Sequence, residues 1–600
     1  MNSLRYFDVS ITGGFWKQKQ DLVRNTTTMA VYDRFKETGR IDAFNFESGV
    51  KAHFFWDSDV AKWIEGVAYL TKDKREPELE ALVDAIVDNI EKYQGDDGYF
   101  NIYHMTIEPE NRFKIRDHHE LYCLGHLIEA GVAYYEATGK DKLLNLMCKY
   151  VDYVEKRFKI DKDTDFTTPG HEEIELALVR LYEVTRDERH LELSKFFVEQ
   201  RGTKIEQDPD WIDTIYNQSH APVREQKTAE GHAVRALYLY CAMADLALKY
   251  NDEELKNACK SLFDNIIEKR MYITGAVGSS AFGEAFTVDY DLPNLLAYAE
   301  SCASIGLVLF AKRMMLLDND PKYADIIERV LYNGFLSSFS LSGDEFFYTN
   351  PLEILPYMMT RDTSQRNKNN LCLPQTRRQR VFECSCCPPN IVRFVPLISE
   401  LIYSVDGDTI YVNQFMESKA KIELNGRAVT IEQKTLYPYD GKVEISVSGA
   451  PCKLAVRIPS YVDKKEQTEN GYKYFEIPAT GANAFVDFAI KPRFVVANPE
   501  VIHDADKCAL TVGPVVYCME GIDNEGHLRS LILDTNSRVE LDINNELGVL
   551  VATLDAYQRK PSDKLYSYTA QTYKTKATLI PYYAFANREE CEMQVWHNFR

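Results

Sequence analysis

Residues 383–390, ECSCCPPN, place Cys384, Cys386 and Cys387 within four positions. Thiols this dense are an oxidation liability unless something manages them. A zinc ion does so: it binds thiolates and carboxylates tetrahedrally and keeps the sulfur deprotonated. The segment has no CxxC pair, so its spacing leaves open both a zinc site and three inert cysteines. Pro388 and Pro389 are expected to prevent regular helix from continuing at that point. Upstream, YAESCAS (298–304) adds Glu300 and Cys302. Two positions apart, they point different ways on a helix, but they converge if the segment is extended or turning. Before it, YITGAVGSSAFGEAFTVDYDLPN (272–294) is rich in glycine and small residues and carries Glu284, Asp289 and Asp291. It lacks the Gly-Lys-Ser/Thr ending of a phosphate loop, and each carboxylate taken singly reads as part of a solvated loop. His119 opens HELYCLGHLIEA, His171 opens HEEIELAL and His232 lies in GHAVRAL. Singly, each reads as a helix-start or core histidine. Three at equivalent positions of a repeat point to a shared pocket.

The elements that must position these residues form a weak repeat. Helix–turn–helix patterns occur at 65–90, 130–154, 177–201, 235–267 and 303–334, with apolar residues at helical spacing and charge in the turns. Such hairpins build either an open solenoid or a closed ring of helix pairs. The period here is loose, and the long insertions at 202–231 and 268–299 look like functional loops gathered at one end. Both features favour the ring, whose helix starts would gather the three histidines around one mouth. Near residue 404 the pattern changes. GDTIYVNQF, KVEISVSG, CKLAVRIPSYV and FVDFAIKPRF read as short strands between turn signals, which predicts β-sandwiches over the last 200 or so residues.

Bulk composition narrows the function. The chain has 600 residues, 45% hydrophobic and 27% charged, with ample material for a core, and a formal net charge of −21. That charge disfavours nucleic acid and anionic membrane surfaces and leaves a neutral ligand compatible. Thirty-seven tyrosines and 30 phenylalanines suit sugar stacking but mostly report core. The N-terminal residues show no signal-peptide pattern and the apolar run at 302–311 is too short to span a bilayer, so a cytoplasmic location is expected. The 13 cysteines are then mainly reduced and buried.

Taken together, GSSAFGEAFTVDYDLPN, YAESCAS, CCPPN, TAEGHAVR and HELYCLGHLIEA resemble glycoside hydrolase family 127, the bacterial β-L-arabinofuranosidases. The similarity runs from SITGGFW (10–16) and WDSDVAKWIEGVAY (56–69) to LIPYYAFANRE (579–589). It implies a multidomain α + β protein. An N-terminal (α/α)6 toroid over 6–403 would be followed by β-sandwiches over 404–505 and 506–589, the first completed by 590–600 and the first few residues. It implies a retaining hydrolase that releases β-L-arabinofuranose. Zn2+ would be held by Glu300, Cys302, Cys386 and Cys387, with Cys386 as nucleophile and Glu284 as general acid/base. His119, His171 and His232 would line the sugar pocket. Cys384 falls outside that pattern and is assigned no role. The expected partner is a small carbohydrate, with a homodimer through the sandwiches as a further expectation. Because one fold hosts many reactions, rivals stand beside this: another enzyme on a similar ring, such as a lyase, a sugar epimerase or a glycosidase of the same type acting on another pectic sugar, and a non-catalytic carbohydrate-binding protein with a structural zinc.

Overall fold

A computed structural model describes residues 1–206, 208, 212–359, 375–462 and 468–600. In the N-terminal two-thirds, six helices pack in chain order: α1 (Trp56–Asp73), α2 (Glu120–Thr138), α3 (Ile174–Thr185), α4 (Ala233–Tyr250), α5 (Ser301–Asp318) and α6 (Cys387–Leu397). Each lies against the next, and α6 returns to α1. These helices are covered on every side, as in α2, where all residues from Glu120 to Tyr134 are buried. A helix without an exposed polar face has to sit inside the molecule. Helices Pro77–Tyr93, Lys142–Glu155, Glu188–Gln200, Glu253–Asn265 and Pro321–Val330 follow α1 to α5 and pack outside them. They bury one stripe only. Lys142–Glu155, for example, turns Leu143, Met147, Tyr150, Val151 and Val154 inward. Helices Gly14–Leu22 and Thr28–Glu37 pack on α6. The five expected hairpins therefore correspond to five inner–outer pairs.

The interior of the ring is crossed by charge. Arg393 on α6 binds Glu65 of α1 at 2.9 Å and Tyr238 of α4 at 3.0 Å; Arg180 of α3 binds Glu65 and Glu129 of α2, each at 2.9 Å. All but Arg180 are buried. Burial drives the Glu65 carboxyl upward, but Arg393 and Arg180 outweigh it and hold it at about 2. Five inner helices, α1 to α4 and α6, are thus tied across the axis by charge-assisted hydrogen bonds.

After residue 402 the chain is β. One five-stranded sheet contains Tyr403–Asp406, Thr409–Val412, Cys452–Arg457 and Tyr472–Ile477, and a second contains Ser418–Leu424, Arg427–Thr435, Lys442–Ser448 and Ala482–Asp487. Alternation of buried and exposed residues along Ser418–Leu424 marks one core-facing side. The N-terminal residues complete both sheets: Asn2–Ser3 pairs with Tyr403–Asp406, and Val9–Ile11 with Ser418–Leu424.

Two expected boundaries need correction. Pro492–Val496, placed within 404–505, pairs with Lys507–Val512 and belongs to the last sheet. Residues 590–600, expected in the first sandwich, also join that sheet: Met593–Gln594 pairs with Val515–Glu520, and His597–Phe599 with Lys507–Val512. That sheet closes on itself, because Lys507–Val512 pairs with Val515–Glu520 and the path through His597–Phe599, Leu531–Leu533, Val549–Arg559 and Thr572–Pro581 returns to Val515–Glu520. Closure leaves six of its strands without a free edge, a form the short separate strand patterns could not announce. Its contact with the helical part includes Glu353–Ile354, paired to Met593–Gln594. Among the described residues no helix is long and apolar enough to cross a membrane.

The seam between α1 and α6 rests on Gly66. A Cβ there would lie 2.6 Å from Val392 Cγ1 and 2.8 Å from the Val392 backbone carbon. Gly66→Ala is therefore expected to destabilise the protein by about 1–3 kcal/mol through overpacking, read as a lower melting temperature. An unchanged melting temperature would contradict this close approach.

Candidate active site

Apart from Glu284, which the loop before α5 supplies, the sequence-predicted residues meet at one end of the ring because each lies at, or just before, the start of an inner helix. His119 and His232 are the residues preceding the first turns of α2 and α4, and His171 comes three residues before α3. Glu300 caps α5 in extended conformation and Cys302 falls in its first turn, so the change from extended to helical backbone turns both side chains the same way. At the start of α6, Cys386 is the capping residue, already helical in backbone, and Cys387 is the first residue of the helix. Pro388 and Pro389, expected to stop a helix, instead sit in the first turn of α6. There a missing N–H costs nothing and the fixed φ is already helical. The helix they would have interrupted begins with them.

Cys302 Sγ lies 3.4 Å from Cys387 Sγ and 3.6 Å from Cys386 Sγ, and Cys386 and Cys387 are 3.7 Å apart. Glu300 Oε1 is 3.6 Å from Cys386 Sγ and 3.7 Å from Cys387 Sγ. A tetrahedral zinc with Zn–S bonds of about 2.3 Å has S···S edges of roughly 3.8 Å, and S···O edges slightly shorter. The four donors therefore fit one such ion. Glu300 Oε2 is buried without a hydrogen-bond partner, which a cation at the centre would relieve. Burial, then the charges of Cys386, Glu284 and Cys384, push the Glu300 carboxyl well above its usual range. Burial also raises the Cys387 thiol, while at Cys302 the bonds from Cys386 and Cys387 overcome burial and bring the thiol down to about 6. So many acidic groups ionise together only if positive charge joins them. Two helix N-termini already point at the sulfurs. His232, Glu284 and Glu300 form a second close set, but its histidine is already committed to Glu284.

That commitment is geometric. His232 Nδ1 accepts the backbone N–H groups of Val234 and Arg235 at 3.2 and 3.4 Å, which leaves the proton on Nε2, 3.1 Å from Glu284 Oε2. Glu284 has φ +52, a left-handed conformation uncommon outside glycine, and the loop holds it there beside Gly283. Burial raises the Glu284 carboxyl, but His232, followed by Tyr298 and Glu300, outweighs it and leaves it at about 2. Of the other loop carboxylates, Asp289 binds Arg270 at 2.8 Å and Lys269 at 3.1 Å, and Asp291 faces His503 at 3.8 Å. Neither enters the site.

Cys386, Glu284 and Glu300 line an inner cavity of about 280 Å³ together with His119, His171 and His232. The rings of His119 and His171 are 5.6 Å apart, and those of His171 and His232 are 5.4 Å apart. Burial lowers all three histidines, His119 to about 4 and His171 well below its ordinary value, so they present neutral imidazoles to the cavity. An outer cavity of about 680 Å³, walled by Phe54, Phe55, Tyr298 and Phe382, shares Glu284, Tyr348 and Cys384 with the inner one.

Tyr348 was not singled out from sequence, and it bridges Glu284 and Cys386. Its hydroxyl is 3.3 Å from Glu284 Oε2, 3.5 Å from Cys386 Sγ and 3.8 Å from Cys384 Sγ. A tyrosine in FFYTNP carries no spacing signal, so only the fold reveals it. Cys384 lies on the wall of both cavities.

Family models for the beta-L-arabinofuranosidase GH127 catalytic domain, the GH127 middle domain and the family 127 C-terminal domain match residues 8–400, 409–489 and 492–598. A non-reducing end beta-L-arabinofuranosidase of Bifidobacterium longum subsp. longum is 32% identical over 98% of this chain and 99% of its own. The solved structure of a GH127 beta-L-arabinofuranosidase from Geobacillus stearothermophilus T6 superposes with a TM-score of 0.93 at 41% identity, covering 99% of this chain and 100% of that one. A further solved GH127 beta-arabinofuranosidase gives 0.90 at 33% identity, with coverages of 100% and 98%. With catalytic, middle and C-terminal domains all matched in order, the chain belongs to glycoside hydrolase family 127.

Proposed function

We propose that this protein is a retaining glycosidase that releases β-L-arabinofuranose from the non-reducing ends of arabino-oligosaccharides or plant glycan side chains. Cys386 would be its nucleophile and Glu284 its general acid/base. The observation that carries the reading is the meeting of Cys386 and Glu284 on one cavity of about 280 Å³, bridged by the Tyr348 hydroxyl at 3.5 and 3.3 Å. Names of the relatives supply the sugar. The helical ring, with its outer partners, is read as the (α/α)6 toroid.

Most retaining glycosidases use two carboxylates about 5 Å apart; here a sulfur takes the place of one. His119 and His171, whose Nδ1 atoms face backbone carbonyls, would accept through Nε2 from the hydroxyls of a single pentose. His232 would line the sugar pocket while holding Glu284. The phenylalanines at the mouth would help to shield the sugar from water. Cys386 Sγ attacks the anomeric carbon; the C–S bond forms as the glycosidic C–O bond breaks. Glu284 gives its proton to the departing oxygen. Its side chain is 32% exposed, and a sugar seated over it removes that solvent and favours the protonated form. Glu284 then takes a proton from water, which attacks the same carbon and displaces the sulfur. Two inversions give net retention. Glu300, Cys302, Cys386 and Cys387 would hold zinc, which when bound keeps the Cys386 sulfur a thiolate at neutral pH.

Purified, reduced, zinc-replete protein is expected to release p-nitrophenol from its β-L-arabinofuranoside. Cys386→Ser should abolish turnover, and Glu284→Gln should slow it by about 10²–10⁴-fold. Full activity in Cys386→Ser would rule the mechanism out. Elemental analysis is expected to find about one zinc per chain, lost in Cys387→Ser, as one tetrahedral site with three protein sulfurs requires. Retention of zinc in that variant would move the metal elsewhere.

A further inference from the structure

The three cavity histidines come from three different segments of the chain, and one side chain ties those segments together. Arg235 is the third residue of α4 and is buried. Its backbone N–H donates to His232 Nδ1 at 3.4 Å. One terminal nitrogen of its guanidinium donates at 2.5 Å to the carbonyl of Gly170, the residue just before His171. The other donates at 3.1 Å to Asp117 Oδ1, and the Asp117 carbonyl lies 2.5 Å from His119 Nδ1. The guanidinium carbon lies 4.5 Å from the ring centre of Tyr216, whose carbonyl accepts the His232 N–H at 3.0 Å. Asp117, Tyr216 and Arg235 all line the inner cavity beside the histidines.

The segments joined in this way are under constraint. His119 has φ +60, a left-handed backbone that a residue other than glycine keeps only where its surroundings over-determine it. Gly170 allows the loops before α2 and α3 to touch: a Cβ there would lie 2.4 Å from the Arg116 carbonyl oxygen. A planar guanidinium suits this place, because its nitrogens reach two acceptors at a fixed separation, whereas a lysine ammonium is a single point on a flexible stem. We infer that Arg235 is a positioning residue that sets the spacing of His119, His171 and His232, and through it the fit of the sugar ring beside Glu284. This rests on the sugar-binding role proposed above for the cavity histidines.

Three quantities test it: kcat and KM on p-nitrophenyl β-L-arabinofuranoside, the melting temperature, and the inhibition constant of anhydro-L-arabinitol, the furanose ring without its anomeric oxygen. Displacing a positioned group by about 1 Å can cost about 10²-fold. Arg235→Lys is therefore expected to lower kcat/KM by about that factor and to raise the inhibition constant similarly, with kcat changed least. Asp117→Ala frees one of the two ties and should lose less than Arg235→Lys. Asp117→Asn, whose amide oxygen can still accept from Arg235, should lose less again. This pair answers the question if Arg235→Lys fails to fold. A lower melting temperature in Arg235→Lys, with KM and the inhibition constant of wild type, would mark a purely structural tie and overturn the inference. Equal losses in Asp117→Asn and Asp117→Ala would also overturn it, by making the Asp117 carboxylate itself the sugar contact. No turnover of the arabinofuranoside by wild type would bring down the proposed function first, and this role for Arg235 with it.

Discussion

Three sulfurs and a carboxylate held 3.4–3.7 Å apart inside a protein repel one another as soon as they ionise. Like charges at this range in a medium poorer than water are strongly unfavourable. The rest of the site can be understood as the means of keeping them together. Cys302 and Cys387 sit in the first turns of α5 and α6, where the helix ends are positive. Their edges match a tetrahedron around one divalent ion. Each of these supplies positive charge from a different direction.

That arrangement requires the inner helix starts to face one mouth. Ring closure does this by packing each inner helix between two others, and the Arg393–Glu65 and Arg180–Glu129 bonds fix their relative heights across the axis. Arg393 matters doubly, since it lies on the same helix that opens with Cys387. The loop holding Glu284 in a left-handed conformation then brings its carboxylate onto the cavity wall. Sheets at the C-terminal end brace the ring from outside, through pairings such as Glu353–Ile354 with Met593–Gln594.

Much of this was legible in the sequence. Helical spacing located the hairpins, alternation located the strands, and residue type drew attention to Glu284, Glu300, Cys302, Cys386, Cys387 and the three histidines, all of which the fold brings together. What spacing could not decide was direction. Glu300 and Cys302 converge only because a helix starts between them, and Pro388 and Pro389 begin a helix where they seemed to end one. Tyr348 was invisible because a lone tyrosine acquires meaning only from what lies beside it in space. The C-terminal strands were misassigned for a related reason: His597–Phe599 pairs with residues about 90 positions earlier, and nothing local in a three-residue strand specifies its partner.

The most direct test of the central claim is to trap the enzyme on a slowly hydrolysed β-L-arabinofuranoside and map the modified residue by peptide mass spectrometry. The account predicts one pentose attached to the Cys386 sulfur. A pentose found on Glu284, Glu300 or any other side chain would contradict it.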